Sequence, residues 1–563
     1  MAKQRSLVIV GGALAGPTAA ARARETDEHV RIVLLERAAN VSYDVGGLPQ
    51  GLSGEVDSPA RLNRLRAEYF RDTYDVEVRT GVEVTGIDPR KRVVRTAGEA
   101  VAYDALIFAA GVESIVPPVP GLAGARNVHP FRNLEHLRAI SSLARRGRRV
   151  VVLGGAFFGV EAADALRRRG VDVTIVERRT RLLTAFSTGA SAAARASLEK
   201  LGVNVVTNAR VVSADVTAGA VRALRLEDGT VIPCNAVVVT AGVQPRTELL
   251  GRAGARLLRN GSVRVDDRCR TSLENVWACG VCVSVEHAVS GRLVWFPQAS
   301  IADKTAQVAG TCAAGGEAKL GPVMGTAIVR VGDVTIARTG LRPGEAEQGD
   351  VVSVHAPSHD RFLPDASTVS MDLLYDPRDG SLLGADAWGA RGVDKRIDVL
   401  ATAIAGGLRV EDLAQLDLAY APSHSTVRDA VNVAGTVAEQ SRAAPGIALR
   451  AHDVAHRIDA LSLIDLRSPA SRRGGVIAGS RAMSLPEVRA GSASLREAPG
   501  VVVFVSDDGA LGYLAARAAR ARGIADAAYL SGGVASWLAE GHALTGAARA
   551  AKPVRKPARR GSR

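Results

Sequence analysis

Buried-strand patterns alternate with helical patterns along the first 240 residues. The run from Leu7 to Val10 is uninterruptedly apolar, which is typical of a strand covered on both faces. In "SLVIVGGALAGPTAAARARE" this run leads into a glycine turn and a helix rich in small residues, and the strand "VRIVLLER" follows. The same plan recurs 143 residues later in "RRVVVLGGAFFGVEAADALRRRG" and "VDVTIVERR". The pattern predicts two copies of a βαβ unit.

Beyond the second copy the pattern of the chain changes. Each βαβ copy is followed by another apolar strand, in "YDALIFAAGVESIVPPVPG" and in "CNAVVVTAGVQPRTELL". From about residue 325, the segments "GTAIVRVGDVTIARTGL", "TVSMDLLYDP" and "SLLGADAWG" predict antiparallel strands, followed by helices between residues 394 and 437. The segment "QSRAAPGIA" at 440–448 predicts a linker. A further α/β unit is predicted from the strands "LSLIDLRS" and "GVVVFVSDD" and the helix "LGYLAARAARARG".

Composition and charge exclude several classes of protein. Hydrophobic residues make up 47% and aromatic residues 4%, so the core is built mainly from Ala, Val, Leu and Ile. No stretch offers about 20 uninterrupted apolar residues, and five cysteines in 563 residues do not make a disulfide framework. The first strand begins too early to leave room for a signal peptide, so we expect a cytoplasmic protein. Seven basic residues in "RAAKPVRKPARRGSR" supply half of the net charge of +14. Residues 547–563 are expected to be a disordered basic tail, and no nucleic-acid partner is expected.

Both βαβ copies carry the elements that bind a dinucleotide. A glycine turn lets a pyrophosphate approach backbone amides at a helix N-terminus, and an acid after the next strand takes the ribose hydroxyls. In both copies the middle glycine of G-x-G-x-x-G is an alanine, Ala13 or Ala156, which pushes the pyrophosphate outward. Arg178 and Arg179 leave the choice between NADH and NADPH open. The elements are Gly11, Gly12, Gly16 and Glu36 in the first copy, and Gly154, Gly155, Gly159 and Glu177 in the second.

With "AAG" near 110, "TAGVQP" near 242 and "VWACG" near 279, the chain resembles the pyridine nucleotide–disulfide oxidoreductases. The segments "GVDKRIDVLATAI" and "LDLAYAPSHSTVRDAVNVAG" are similar to the coenzyme A disulfide reductases and their NADH oxidase and polysulfide reductase relatives. The segments "LIDLRSP", "GYLAAR" and "LSGGVASW" resemble a rhodanese domain. Over essentially its whole length, the chain resembles a fusion of a coenzyme A disulfide reductase with a rhodanese domain.

The resemblance implies an α/β fold with two interleaved Rossmann-like dinucleotide-binding domains, an α+β dimerisation domain and a C-terminal rhodanese-like domain. It places an FAD domain at 1–120 and 241–322, an NAD(P) domain at 121–240, the dimerisation domain at 323–440 and the rhodanese-like domain at 448–546. It implies FAD as a cofactor and leaves NAD(P)H possible. The implied cofactor-binding residues are Gly11, Gly12, Ala15, Gly16, Glu36, Arg37, Val84, Ala110, Gly111, Gly280, Val281, Gly154, Gly159, Glu161 and Glu177.

Both sulfur-carrying positions of the family differ in this chain. The cysteine that precedes Gly-Leu-Pro in the family corresponds to Gly46, which can form neither a mixed disulfide nor a thiolate contact with flavin. In the rhodanese-like segment the persulfide cysteine corresponds to Ser506, and Leu511 stands where the family has an arginine. Both sulfur sites are therefore predicted to be inactive.

Further departures concern the flavin and the cysteines. The family's Gly-Asp pair, whose Asp binds the flavin ribityl chain, is Gly280-Val281 here. Losing that hydrogen bond costs roughly 1.5–3 kcal/mol, which a large cofactor interface can tolerate. The pair Cys279 and Cys282 is predicted to be two buried thiols, since no second CxxC completes a metal site. No metal is expected.

The expected substrate region combines two parts of the chain. Arg22, Ser42 and Gly46 match positions that line the family's coenzyme A channel and flavin pocket, and Lys304 stands where the family tends to Arg. The family's paired tyrosines become Phe362 and Leu363, while Tyr420 is kept. His424 replaces an aromatic residue at a position expected to approach the partner subunit's flavin. We therefore expect Tyr420 and His424 to be catalytic, with the imidazole serving as an acid–base group near neutral pH.

Two functions remain open from the sequence. The first is a homodimeric FAD-dependent oxidoreductase without a redox thiol, in which flavin exchanges electrons directly with a small substrate, with oxygen or with NAD(P)H. The substrate could be linked to coenzyme A or to a carrier protein. The alternative is a catalytically degenerate scaffold that binds a nucleotide for structure or regulation.

Overall fold

The structure is a computed structural model that describes residues 4–63 and 65–546. The described chain divides into two compact units, one of residues 4–347 and 383–407 and one of residues 348–382 and 408–546. The predicted basic tail, residues 547–563, lies outside the described residues. Among the helices of the described part, none is both long and apolar enough to cross a membrane. The domain boundaries inferred from the sequence stay a prediction.

The first unit contains a five-stranded parallel sheet built around the strand Ser6–Val10. Leu7, Val8 and Ile9 have no exposed surface, as a strand covered on both faces requires. The chain leaves this strand toward one side first and fills the other side later, and such a reversal leaves a crevice at the carboxyl ends of the strands. The order across the sheet is Val276–Ala278, Ala105–Phe108, Ser6–Val10, Arg31–Glu36 and Val76–Thr80, with helices Ala15–Thr26, Ala67–Tyr74 and Ala299–Ala313.

A second parallel sheet of the same unit repeats this arrangement around the strand Arg149–Leu153. Val150, Val151 and Val152 are almost completely buried. The order across the sheet is Asn204–Val206, Asp172–Val176, Arg149–Leu153, Ala236–Val239 and Val128–Pro130, with helices Leu134–Leu143, Phe157–Arg168 and Thr188–Lys200. The two predicted βαβ copies are therefore confirmed.

Short strands and helices complete the first unit. Strands Val84–Asp88, Val93–Thr96 and Ala100–Ala102 form one antiparallel sheet, and Val211–Thr217, Ala220–Leu226 and Val231–Pro233 form another. Strands Ala327–Val331, Val334–Gly340 and Leu382–Gly389 are antiparallel as well. The remaining elements are strands Val112–Ser114, Val243–Pro245, Val263–Arg264, Val283–Glu286 and Leu293–Val294, helices Leu48–Ser53, Glu248–Arg252 and Val393–Ala405, and 3₁₀ turns Pro59–Leu62 and Gly280–Cys282.

The second unit combines an antiparallel strand pair with a five-stranded parallel sheet. The pair is Asp350–Pro357 and Thr368–Tyr375, beside helices Val410–Gln415 and Ala430–Ala443. The parallel sheet has the order Ala448–Leu449, Ala528–Leu530, Val501–Val505, Leu461–Asp465 and Arg481–Ala482. Its other elements are helices Ala451–His456, Pro469–Arg472, Leu485–Ala490, Ala493–Arg496, Ala510–Arg520 and Gly533–Ala539, and the 3₁₀ turn Ile458–Ala460.

The sequence analysis missed several strands of this unit, among them Asp350–Pro357 and Ala528–Leu530, and misplaced one boundary. The strand Asp350–Pro357 was not predicted, because Ser353 and His355 interrupt its apolar run and are themselves half or fully buried. Helix Ala430–Ala443 extends into the segment predicted as a linker, which leaves four residues before the strand Ala448–Leu449. The helix can extend to Ala443 because residues 430–444 contain no proline.

Candidate functional site

The first glycine turn packs directly against the neighbouring strand. Gly11 has a φ of +110°, and a Cβ there would lie 2.3 Å from the backbone oxygen of Ala109. A Cβ on Gly16 would lie 1.8 Å from the backbone oxygen of Gly11. Because no side chain fits at either position, both glycines are required for the turn to close onto the sheet.

The helix that follows this turn has an open N-terminus. Helix Ala15–Thr26 has no side-chain cap and no acidic residue in its first turn, so its first amide groups and its dipole are available to an anion. The Glu36 carboxylate closes the edge of the site by accepting hydrogen bonds from the amides of Gly12, at 2.6 Å, and Ala38, at 2.7 Å. The arrangement suits a pyrophosphate at the helix and a ribose at the acid.

The second turn has the same geometry. Gly154 has a φ of +113°, and a Cβ there would lie 2.6 Å from the oxygen of Thr240, while a Cβ on Gly159 would lie 1.9 Å from the oxygen of Gly154. Helix Phe157–Arg168 is also uncapped and lacks an acid in its first turn. The Glu177 carboxylate accepts from the Gly155 amide at 2.6 Å. The structure thus brings each predicted set together.

The crevice of the first copy is lined by two further backbone segments. A Cβ on Gly280 would lie 2.9 Å from the Cβ of Ala15, which places this segment at the start of the first helix. A Cβ on Gly111 would lie 3.8 Å from a Val281 methyl group, so the segment that follows Ala110 lies next to Val281. The Val281 carbonyl accepts from the Trp295 indole at 2.8 Å. These residues, predicted from the resemblance, therefore form one surface.

Two arginines that the sequence analysis missed lie beside this surface. The Arg246 amide donates to the Gly111 oxygen at 3.0 Å. Burial, with a smaller contribution from the Arg246 guanidinium, lowers the pKa of Arg132 to about 10. Burial and then the Arg37 guanidinium lower the pKa of Arg246. The Arg246 Nε has no hydrogen-bond partner among the described residues, and the nearest Glu113 oxygen is 3.6 Å away. Two half-buried like charges with an unpaired donor indicate a site for an anion. Sequence spacing gave no signal for either arginine.

The loop from Ser42 to Gly47 crosses the same crevice. The Ser42 amide donates to the Gly12 oxygen at 2.8 Å, and Ser42 adopts a φ of +52°, which is uncommon outside glycine. Gly46 is exposed and does not have a positive φ. Of the described atoms, the Asp44 carboxylate alone lies within 4 Å of a Cβ built there, with its oxygen at 3.2 Å. The space beside Gly46 is therefore open.

Glu161 faces a small cavity of about 70 Å³ between helices Leu48–Ser53 and Phe157–Arg168. The cavity is also lined by Gln50, Ser53 and Arg168. Burial, with a smaller contribution from Asp164, raises the pKa of the Glu161 carboxyl to about 7. This residue was predicted to bind a cofactor, and its environment makes it a proton-holding group at neutral pH.

The other predicted residues of the first unit lie at its surface. Arg22 donates to the Thr311 hydroxyl at 3.0 Å and to Glu25 at 3.0 Å. The Lys304 ammonium donates to the Pro322 oxygen at 3.2 Å. Arg37 lies 3.8 Å from Glu83, next to the strand that begins at Val84. None of these contacts tests the predicted substrate or cofactor role.

The predicted catalytic residues lie in the second unit, on two connected loops. The Tyr420 hydroxyl donates to Asp360 at 2.8 Å, and the Asp360 amide donates to the Pro422 oxygen. His424 is exposed, and its Nδ1 lies 2.8 Å from the Ser423 hydroxyl. Phe362 is 74% exposed, so these loops present aromatic and polar side chains to the surroundings.

All five cysteines of the chain are buried free thiols. Burial raises the pKa of Cys282 and Cys234 to about 11, and it raises the pKa of Cys269 and Cys279 as well. The Cys282 thiol donates to the Cys279 oxygen at 3.2 Å. The prediction of two buried thiols in the CxxC segment is confirmed, and both are poor thiolates. In the described part of the chain no group of three His, Cys, Asp or Glu residues is arranged to hold a metal ion.

The rhodanese-like loop is filled by its own side chain. The Ser506 hydroxyl accepts from the amides of Gly509, at 3.0 Å, and Gly512, at 3.2 Å, and Ser506 is 1% exposed. The loop is also closed from outside, because Gly533 packs against it. A Cβ at Gly533 would lie 2.3 Å from the backbone oxygen of Ser506. Two of the loop amides that would bind a sulfur anion are therefore already paired with the Ser506 hydroxyl.

Comparison with protein families gives three matches. Residues 5–304 match the pyridine nucleotide-disulphide oxidoreductase family, and residues 326–431 match the dimerisation domain of that family. Residues 450–540 match a rhodanese-like domain. The first match covers more than half of the chain. The chain belongs to the pyridine nucleotide-disulphide oxidoreductases.

Similar proteins share both sequence and architecture with this oxidoreductase. An NADH oxidase of Methanocaldococcus jannaschii is 27% identical over 76% of this chain and 97% of its own. An NAD(P)H coenzyme A polysulfide/persulfide reductase of Pyrococcus horikoshii is 28% identical over 77% of this chain and 98% of its own. A crystal structure of the reduced CoADR-RHD of Bacillus anthracis superimposes with a TM-score of 0.90 and 29% identity, over 95% of this chain and 98% of that chain.

The oxidoreductases of this family use FAD and NAD(P)H, and the residues present suit such cofactors. The two uncapped helices offer amide donors and the two carboxylates offer ribose acceptors. The two half-buried arginines add positive charge beside the Gly111 segment, which suits an anionic cofactor. The match to the dimerisation domain supports a homodimer.

Replacing Arg132 by alanine is expected to weaken FAD binding about tenfold or more, since a hydrogen bond to a charged group contributes about 1.5–3 kcal/mol. FAD per chain is measured by absorbance after dialysis. Arg138→Ala, on the exposed face of helix Leu134–Leu143, is the matched control and should keep the wild-type content. Equal FAD retention by Arg132→Ala and the wild type would contradict the role of the buried arginine.

Proposed function

We propose that this chain is an FAD-dependent oxidoreductase in which electrons pass directly between flavin and a small molecule, without a redox-active thiol. The observation that carries the proposal is the open space at Gly46, where a Cβ would meet only the Asp44 carboxylate within 4 Å. In the resemblance that the sequence suggests, this position belongs to the family's cysteine. A substrate or oxygen can occupy the volume that sulfur would otherwise fill.

The state of the existing cysteines supports the same proposal. A thiol must ionise to attack a disulfide or to stack on flavin as a thiolate. Burial raises the pKa of four of the five thiols, and all five side chains are enclosed. None of them can take over the function of a cysteine at position 46 at neutral pH.

Several side chains of this chain then have distinct tasks. FAD, when bound, supplies the capacity to accept and release an electron pair. Arg132 and Arg246 neutralise its pyrophosphate, and Glu36 binds its ribose. Glu161 holds a proton on its carboxyl group below about pH 7 and can release it above that pH. Glu177 binds the ribose of NAD(P)H in the second site.

The substrate class follows from the charged residues expected along the channel. Arg22 and Lys304 carry positive charge at the surface of the first unit, where the family's coenzyme A channel would lie. A phosphopantetheine thioester, attached to coenzyme A or to a carrier protein, suits that channel. In the homodimer, Tyr420, His424 and Phe362 of one subunit would complete the partner's pocket.

A second candidate function is a nucleotide-binding scaffold without turnover. Val281 favours it, because a valine at the crevice removes a hydrogen bond to the ribityl chain that the family's aspartate would make. The absorbance of the purified protein separates the two candidates. A stoichiometric yellow flavin that is reduced and reoxidised supports the oxidoreductase, and a colourless protein supports the scaffold.

We predict that the wild type neither reduces coenzyme A disulfide nor transfers sulfur from thiosulfate, because position 46 has no thiol and the Ser506 loop is closed. In a titration with Ellman's reagent, the native wild type should show no fast-reacting thiol. Gly46→Cys should add one fast-reacting thiol, since the position is exposed and its φ suits any residue. Gly46→Ser is the matched control and should add none. A fast thiol in the wild type, or robust turnover of either substrate, would contradict the proposal.

His424→Ala is expected to lower turnover about 10²-fold or more, the usual range for loss of a general acid or base. FAD content and dimerisation should not change, since the imidazole is exposed and contacts Ser423. His29→Ala, an exposed histidine of the first unit, is the control. Wild-type turnover by His424→Ala would contradict a catalytic role for this histidine.

A further inference from the structure

Three of the ten histidines of the chain lie together in the second unit. His452 and His456 are on helix Ala451–His456, and His542 follows helix Gly533–Ala539. Ala451 and Val454 of the first helix share one hydrophobic core with Trp537 of the second, and the Trp537 ring lies 4.6 Å from the His542 ring. The three histidines therefore lie on neighbouring segments. The proposed oxidoreductase chemistry does not involve this cluster.

The helical pair has the spacing of a metal chelate. Residues four apart lie above one another on one face of a helix. The ring centroids of His452 and His456 are 4.0 Å apart, and the planes are tilted by 49°. Two nitrogen ligands on a tetrahedral zinc ion are about 3.3 Å apart, given bonds of about 2.0–2.1 Å. Both side chains are exposed, so rotation about their torsions can bring two ring nitrogens to that separation.

One hydrogen bond fixes which nitrogen of His456 is available. Its Nδ1 lies 2.9 Å from the backbone oxygen of His452. Because a carbonyl oxygen can only accept, Nδ1 carries the hydrogen and Nε2 keeps its lone pair. Metal-binding histidines commonly donate their other ring nitrogen to a carbonyl in this way, which fixes the tautomer and the ring orientation.

Further ligands stand next to the pair. The Nε2 of His542 is buried and has no hydrogen-bond partner among the described residues. It lies 3.9 Å from a carboxylate oxygen of Glu540, and the centroid of its ring is 4.6 Å from that of Trp537, with the planes tilted by 38°. An unpaired buried nitrogen costs stability unless it gains a partner. A metal ion shared with the helical pair would supply one.

We propose that His452 and His456 form a two-histidine site for Zn²⁺, which His542 and Glu540 complete when the ion binds. Three imidazole nitrogens and one carboxylate oxygen are a common ligand set for zinc. The side chains have not converged on one point in the structure, consistent with the absence of any preformed group of three ligands in its described part. Binding would tie the first helix of the rhodanese-like region to the end of its last helix.

The test uses the full-length FAD-loaded protein without a histidine tag, stripped of metal and titrated with Zn²⁺ in a calorimeter near neutral pH. The wild type should bind about one Zn²⁺ per chain. His452→Ala and His456→Ala should each weaken binding about tenfold or more, as loss of a ligand does. Alanine favours helix, and both positions are exposed, so the fold should be retained; circular dichroism and flavin absorbance check this. His29→Ala should bind as the wild type does.

A second readout identifies the ligands. Co²⁺ bound at this site should give the visible absorption of a tetrahedral nitrogen–oxygen site without a sulfur-to-metal charge-transfer band. Loss of that absorption in the double variant His452→Ala/His456→Ala supports the site. A wild-type titration identical to that of the double variant, or a sulfur charge-transfer band, would overturn the proposal.

Discussion

The contact between Gly11 and the backbone of Ala109 determines most of what surrounds the cofactor crevice. Because a side chain at position 11 would collide with the Ala109 oxygen, the turn can close only with glycine. Closure brings the start of helix Ala15–Thr26 against the sheet, where Gly280 and Val281 pack on it. The helix needs no cap of its own, because an anion can take its free amides. The same constraint at Gly154 builds the second site.

The sequence was sufficient to predict the features of the fold and of the site that depend on local patterns. The two βαβ units followed from apolar runs and glycine turns, and the pairing of Glu36 and Glu177 with the turns followed from their spacing. The burial of Arg132 and Arg246 could not be predicted, since their proximity arises from segments about 110 residues apart. Local patterns carry no information on such distant contacts.

Single departures from local rules explain the remaining errors. The strand Asp350–Pro357 escaped prediction because its polar residues are satisfied by tertiary partners; the Ser353 hydroxyl, for example, donates to Asp372 at 2.6 Å. Ser42, whose conformation the sequence did not indicate, adopts the left-handed region, and its amide donates a hydrogen bond to the Gly12 oxygen. Tertiary hydrogen bonds outweigh propensity at both places.

The central claim is that flavin exchanges electrons without a redox-active thiol in this chain, because position 46 has no thiol and the cysteines are buried. Anaerobic titration of the FAD-loaded protein with dithionite tests this most directly. The account predicts full reduction at about two electrons per FAD and no long-wavelength band from a thiolate stacked on the ring. An endpoint at about four electrons per FAD, or such a band midway through the titration, would reveal a second redox group and would contradict the account.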